Sequence, residues 1–254
     1  MTEETTYRKL TPAEYSDLSS RILYEDNHLL IINKRAGEIV QGDKTGDETL
    51  GEKCQALIAE RDGKPGRVFM GVPHRLDRPV SGITVFAKTS KALERMSGMF
   101  RDGEVHKTYW ALVDGEPPVP EATLENWLAR NEKQNKSYIV KDGSRPGAKL
   151  ARLRYRLIGR TKTYFLLEVE LLTGRHHQIR CQLSGIGCRI KGDLKYGARR
   201  SNPDGGICLH SRHISFIHPV RKEEVNVTAP VPADWKGLSS QAYSPDSDGT
   251  TPLE

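Results

Sequence analysis

Cysteine is sparse and unpatterned in this chain. Cys54, Cys181, Cys188 and Cys208 form no CxxC pair and show no Cys/His spacing of the kind that holds zinc. They read as small buried thiols of a reducing compartment, so neither a disulfide framework nor a metal site is expected. No run approaches the roughly 18 consecutive apolar residues of a membrane span, and the opening MTEETTYRKL lacks the apolar segment of a secretory signal. The expectation is a cytoplasmic protein with no membrane partner. A Gly-rich phosphate loop and an Asp-Phe-Gly string are also missing, which argues against phosphoryl transfer even though His74-Arg75-Leu76-Asp77 contains a near match to a kinase catalytic loop.

What is present is positive charge, unevenly spread. The chain has 254 residues, 36% of them hydrophobic, and a net charge of +6; residues 1–20 carry −2 and residues 239–254 carry −3, which leaves +11 for residues 21–238. A domain this basic suits a polyanionic partner, nucleic acid ahead of membrane, with solubilising surface charge as the plain alternative. Both ends are polar and short of apolar anchors. They read as an N-terminal tail, 1–20, and a disordered C-terminal tail, 239–254, around a single domain, 21–238, long enough to bury its own core.

Within that domain Ile22 to Tyr24 and Leu29 to Asn33 read as a hairpin, and Leu50, Cys54, Leu57 and Ile58 fall at helical spacing. Ile83 to Ala87 reads as a strand, Ser90 as the cap of a following helix, and Lys107 to Val113 as another strand. Residues 164–173 are predicted as strand, 175–184 as helix, and 207–217 and 225–229 as strands. Adjacent strands outnumber helices, which predicts an α+β fold with a mainly antiparallel sheet flanked by helices. The stretch 130–162 holds eleven Lys or Arg against two acids. Its alternation puts Arg152, Arg154 and Arg156 on one face of a strand, either a solvated face or a phosphate-contacting one.

Two clusters carry possible chemistry. In His74-Arg75-Leu76-Asp77-Arg78-Pro79-Val80-Ser81-Gly82 a carboxylate between two guanidiniums is expected to stay ionised on a loop beside a strand. The alternative is an Asp/Arg network that only braces the turn. In Thr173-Gly174-Arg175-His176-His177-Gln178-Ile179-Arg180, a helix from 175 would place Arg175 with Ile179, and His176 with Arg180, on adjoining faces. Neighbouring histidines on a helix point apart, so hydrogen-bonded scaffold is the better reading of that pair than metal binding.

Taken together and in order, ILYEDNHLLIINKRAG, HRLDRPVSG, FAKTSKAL, KTYWALVDG, LLTGRHHQIRCQL, IKGDLKYG and LHSRHISFIHP resemble the pseudouridine synthases of the RluA/RsuA superfamily, RluA branch. The resemblance spans about residues 21–231. It implies an isomerase that converts a uridine of structured RNA, ribosomal ahead of transfer RNA, to pseudouridine without a cofactor. It further implies Asp77 as the catalytic acid, Tyr109 as the active-site tyrosine, Arg180 as the basic partner of Asp77, and Arg75 as a residue that enters the RNA near the extruded base. Arg78, Lys107, Arg175, Arg152, Arg154 and Arg156 are the further candidates for RNA contact, on a basic face expected to surround Asp77.

Those residue types suit the chemistry. Isomerisation breaks the glycosidic C–N bond, turns the uracil and rejoins it through carbon 5, so an ionised carboxylate, a flat surface for the free base and exclusion of water are needed. A uridine in folded RNA must first be flipped out. Where many relatives have an acid and a threonine after the HRLDR string this chain has Pro79-Val80, and Arg35 and Arg189 stand where many have proline. Many relatives also carry a small N-terminal RNA-binding domain, for which twenty residues are too few. A monomer that selects its target through the catalytic domain is expected. The competing readings are an RNA-binding or RNA-folding factor of the same fold without catalysis, and an RNA hydrolase using Asp77 with a water.

Overall fold

The computed structural model describes residues 7–42, 45–63, 66–233 and 235; the predicted disordered tail, 239–254, lies outside them. The described residues build a ten-stranded sheet from β1 (Ile22–Glu25), β2 (Leu29–Lys34), β3 (Ser81–Ala87), β4 (His106–Val113), β5 (Glu121–Asn131), β6 (Lys136–Val140), β7 (Lys149–Arg160), β8 (Phe165–Leu171), β9 (Leu209–Ile217) and β10 (Glu224–Thr228). The order across it is β1-β2-β3-β9-β4-β8-β7-β5-β6, with β10 also on β9. Every pairing is antiparallel except β3 with β9, a short parallel contact through Ser81↔His210 and Gly82↔Ser211. The α+β reading with a mainly antiparallel sheet is therefore met.

Helices α2 (Leu50–Arg61) and α3 (Ser90–Asp102) lie on opposite sides of the sheet, which explains why β2 and β3 are buried on both faces. Leu30 and Ile32 pack with Leu50, Cys54, Leu57 and Ile58 of α2. Leu29, Ile31, Ile83 and Val85 pack with Ala92 and Met96 of α3. The alternation along β2 thus fills two cores with one strand. α2 begins with a Thr49/Glu52 capping box, and α3 is capped by Thr89 rather than the expected Ser90.

Residues 1–20 are not a plain tail where they are described. Helix α1 (Pro12–Ser20) starts at a Thr11/Glu14 capping box with proline in its first turn, and Leu10 and Leu18 are buried in the same core as α2. A nine-residue helix with one fully buried residue, Leu18, carries too little periodicity to stand out in the sequence. The hairpin β5–β6 was likewise hidden, because Asn126 and Arg130 interrupt the face of β5 that carries Ala122, Leu124 and Leu128.

The expected helix at 175–184 starts later, as α4 (Gln178–Gly185). His177 just before it has φ +52°, in the left-handed region, so the chain bends where a continuous helix was predicted. Gln178 fixes that bend: its side-chain oxygen accepts from the Thr173 hydroxyl (2.7 Å) and the Arg175 backbone N–H (2.9 Å). A short 3-10 turn, Leu194–Tyr196, packs on α4.

Candidate active site

The loop before β3 is pinned from several sides. Val85 N–H donates to His74 Nε2 (2.9 Å), and the His74 ring stacks on Phe100 of α3 at 4.3 Å. The Arg78 carbonyl accepts from Gly37 N–H (2.8 Å) and from the buried Lys34 ammonium (3.1 Å), which also donates to the carbonyls of Arg35 and Glu38. Burial pushes the Lys34 pKa down to about 7 despite the carboxylates of Glu38 and Asp77 nearby. Gly82 has φ +109° and passes so close to β9 that a Cβ there would lie 2.3 Å from the Ser211 carbonyl oxygen. Glycine is required at that crossing.

This loop delivers Asp77 to a cavity of about 370 Å³ that Tyr109 and Arg180 also line. Arg180 comes from α4 and is itself buried. Its Nε and Nη2 donate to the two oxygens of buried Asp193 at 2.7 and 2.8 Å, and its Nη1 reaches Asp77 Oδ2 at 3.1 Å. His177 Nε2 approaches the same oxygen at 3.4 Å. Burial alone would raise the Asp77 pKa, but the neighbouring imidazole and guanidinium outweigh it and hold the carboxyl below its usual range. The acid is therefore ionised at neutral pH, as expected, though its partners are Arg180 and His177 rather than the flanking arginines.

Tyr109 sits in mid β4 on the face shared with Tyr155, Val169 and Ile179. Burial pushes its phenol up to about 12, so the hydroxyl keeps its proton. Arg75, Lys107 and Arg175 line the same cavity as Asp77, while Arg78 turns outward and pairs with Asp47 at 2.7 Å. Lys107 lies 5.6 Å over the Phe100 ring, and Arg175 Nε donates to the Leu150 carbonyl (2.9 Å).

Arg152, Arg154 and Arg156 do not surround Asp77. They alternate with Leu153 and Tyr155, which belong to the core that holds Tyr109, so they occupy the other face of the sheet. There each pairs with a carboxylate of a neighbouring strand: Arg152 with Glu125 (2.6 Å), Arg154 with Glu121, and Arg156 with Glu168 (2.9 Å). Their charge is locally matched. By contrast Arg130, Lys133, Lys136, Lys141, Arg145 and Lys149, on β5–β6, the loop to β7 and the first residue of β7, have no acid partner among the described residues' ion pairs. That hairpin's turn abuts the cavity mouth, where Asn135 Oδ1 meets His176 Nε2 (3.1 Å) and the Lys195 ammonium donates to the Asn135 carbonyl (3.1 Å).

The comparisons with known proteins decide the family. Residues 28–185 match the family described as RNA pseudouridylate synthase. The chain belongs to that family. As an RNA pseudouridine synthase it is an isomerase, and its relatives carry matching names. It is 34% identical over 239 residues to the ribosomal large subunit pseudouridine synthase D of Zymomonas mobilis subsp. mobilis, covering 89% of this chain and 73% of that one. It is 32% identical over 227 residues to the ribosomal large subunit pseudouridine synthase C of Vibrio cholerae, covering 87% and 69%. Among solved structures, human RNA pseudouridylate synthase domain containing 4 aligns with a TM-score of 0.72 at 24% identity, over 87% of this chain and 92% of that one. That likeness concerns the fold.

Sequence reasoning missed several residues of this candidate site. Lys34, Asp193 and Tyr196 all lie within the strings that carry the resemblance, yet each acts through a tertiary partner, and His177, read only as hydrogen-bonded scaffold, also faces Asp77. The one available signal was the presence of an acid and a tyrosine in IKGDLKYG.

Proposed function

We propose that this pseudouridine synthase isomerises a uridine of large-subunit ribosomal RNA, as the names of its relatives indicate, with Asp77 as the catalytic carboxylate. The single observation behind the reading is an ionised carboxylate held by Arg180 inside a cavity also lined by a buried tyrosine ring. Asp77 acts on the nucleoside as the glycosidic bond breaks, and Arg180 keeps it charged and oriented. Tyr109 offers its ring to the detached uracil. Because its phenol keeps its proton, Asp77 is the stronger candidate for removing the proton from carbon 5. Arg75, Lys107 and Arg175 receive the flipped nucleotide, and the unpaired cations of the β5–β6 hairpin follow the adjoining phosphates. The buried thiols of all four cysteines fit a cytoplasmic setting. Exposed large apolar residues such as Leu172, Leu194 and Ile217 fit a monomer, since they come from separate elements.

The test is to incubate the purified protein with cellular RNA from a strain lacking its gene and to map pseudouridine. New pseudouridine at a defined ribosomal RNA position is expected. New sites confined to transfer RNA would overturn the substrate reading, and free uracil or strand scission would favour a hydrolase.

A further inference from the structure

One oxygen of the catalytic carboxylate is crowded and the other is open. Arg180 Nη1 and His177 Nε2 both address Asp77 Oδ2, at 3.1 and 3.4 Å, and no described side chain donates to Oδ1. The second of these contacts depends on which imidazole nitrogen carries the proton.

We propose that His177 is a positioning residue that presents an Nε2–H to Asp77 Oδ2, and that Tyr196 holds it in that tautomer, leaving Oδ1 as the oxygen that meets the nucleoside. The inference rests on the pseudouridine synthase reading of Asp77. Tyr196 Oη lies 3.1 Å from His177 Nδ1 and accepts from the Ser137 backbone N–H at 2.9 Å. It has one proton to give and two takers, His177 Nδ1 and the Ser137 carbonyl (3.2 Å). The Cys181 thiol already donates to that carbonyl, at 3.3 Å. The decisive contact is at the far side of the ring: an unprotonated Nε2 would set a lone pair against an ionised carboxylate, so the proton belongs on Nε2 and Nδ1 accepts from Tyr196. Burial keeps the ring neutral, with a pKa pushed down to about 3, so Arg180 supplies the charge on this side and His177 a directed N–H. The 3.4 Å approach is long for a hydrogen bond and shortens when bound nucleoside excludes water from the cavity.

The ring is firmly placed. His176 stacks on it at 3.8 Å, and the Tyr196 ring, edge-on to it, also lies 5.2 Å under the Arg180 guanidinium. The charged and titratable groups around the pair are Arg180 from α4 with Asp193 behind it, His176, Arg75 from the loop before β3, Lys34 from β2, Tyr109 from β4, and Lys195 from the 3-10 turn. None of these joins Tyr196 to Asp77 through hydrogen-bonding atoms at both ends, as His177 does.

The test uses His177→Leu, His177→Gln and Tyr196→Phe in the full chain, with single-turnover pseudouridine formation on the RNA substrate followed from pH 3 to 9, because the acid limb set by Asp77 lies below the usual carboxylate range. Removing the N–H weakens the hold on the ionised form of Asp77, so the acid limb of the rate profile moves up by about one pH unit, roughly a tenfold loss on that limb with a smaller loss at pH 8.5. His177→Gln, which keeps an amide N–H, recovers most of the loss. In ¹⁵N-histidine spectra of the wild type, His177 shows the Nε2–H form, and Tyr196→Phe mixes the tautomers. A uniformly slower His177→Leu profile with an unmoved limb, or an Nδ1–H signal in the wild type, would overturn the proposal. Should His177→Leu fail to fold, Tyr196→Phe carries the same comparison. Wild-type protein that forms no pseudouridine would instead remove the reading of Asp77 itself.

Discussion

The Arg180 guanidinium offers several N–H edges in a fixed plane, and buried Asp193 takes two of them, so the remaining Nη1 is aimed at Asp77. Replacing Asp193 with Asn removes the charge and one acceptor, leaving Arg180 buried with Asp77 as its one anionic partner. Breaking a buried pair in this way costs about 3 kcal/mol, which for a chain of this size lowers Tm by roughly 6–12 °C. Turnover is expected to fall at least tenfold, because the carboxylate loses its oriented counter-ion. Thermal melts and single-turnover rates check both; an Asp193→Asn protein that melts and reacts like the wild type would contradict the role given to Asp193. None of this was legible from local sequence. The charge state of Asp77 could be anticipated from nearby arginines, yet Arg78 turned outward to Asp47 and the partners came from α4 and the loop before it, roughly a hundred residues away in the chain. A string shows which residues are neighbours along the backbone and is silent on which side chains the fold turns toward one another.

Strands and helices with both ends marked were readable: α2 has its capping box and an apolar stripe, and the β1–β2 hairpin has its turn. The bend at His177 was not, because it depends on the Gln178 side chain tying Thr173 and Arg175 together, and helical spacing continues unbroken through it. The alternation in β7 correctly separated arginines from apolar residues. Period two cannot say which face holds the site, and the acids that neutralise those arginines come from β5 and β8. Hence Arg154→Glu is expected to leave RNA affinity within about twofold, whereas a joint Arg130→Glu and Lys133→Glu change weakens it severalfold and flattens its salt dependence. Filter binding across a salt series distinguishes the two, and the reverse ranking would restore the 152–156 face as the RNA surface. At the β3–β9 crossing, Gly82→Ala combines a positive φ with a Cβ driven into the Ser211 backbone. A loss of at least about 2 kcal/mol in urea unfolding is expected, and an unchanged midpoint would show that the crossing relaxes.

The whole domain carries buried histidines whose titration couples folding to pH. Burial pushes His74 and His177 down to about 3 and His210 down to about 4. As pH falls below the ordinary imidazole value of about 6.5, the unfolded chain takes up protons that these three rings refuse, so stability declines with acid. The sum is about 4 kcal/mol lost between pH 7.5 and 5.5. Asp77 is shifted in the same direction and adds to the loss in acid at lower pH: its contribution is complete above the unfolded value of about 4 and disappears as pH falls through its lower folded value. Urea unfolding at the two pH values checks the histidine window, and a protein equally stable at both would refute it. The basic excess that first suggested a polyanion proves to be divided by the sheet, matched by carboxylates on one face and unmatched along the hairpin beside the cavity. Pseudouridine formation and RNA binding measured side by side for wild type and Asp77→Asn test the role of Asp77 most directly. The account predicts no detectable turnover with affinity within about threefold of wild type, since one carboxylate contributes little to phosphate contact. Turnover by Asp77→Asn at a rate near the wild type would contradict it.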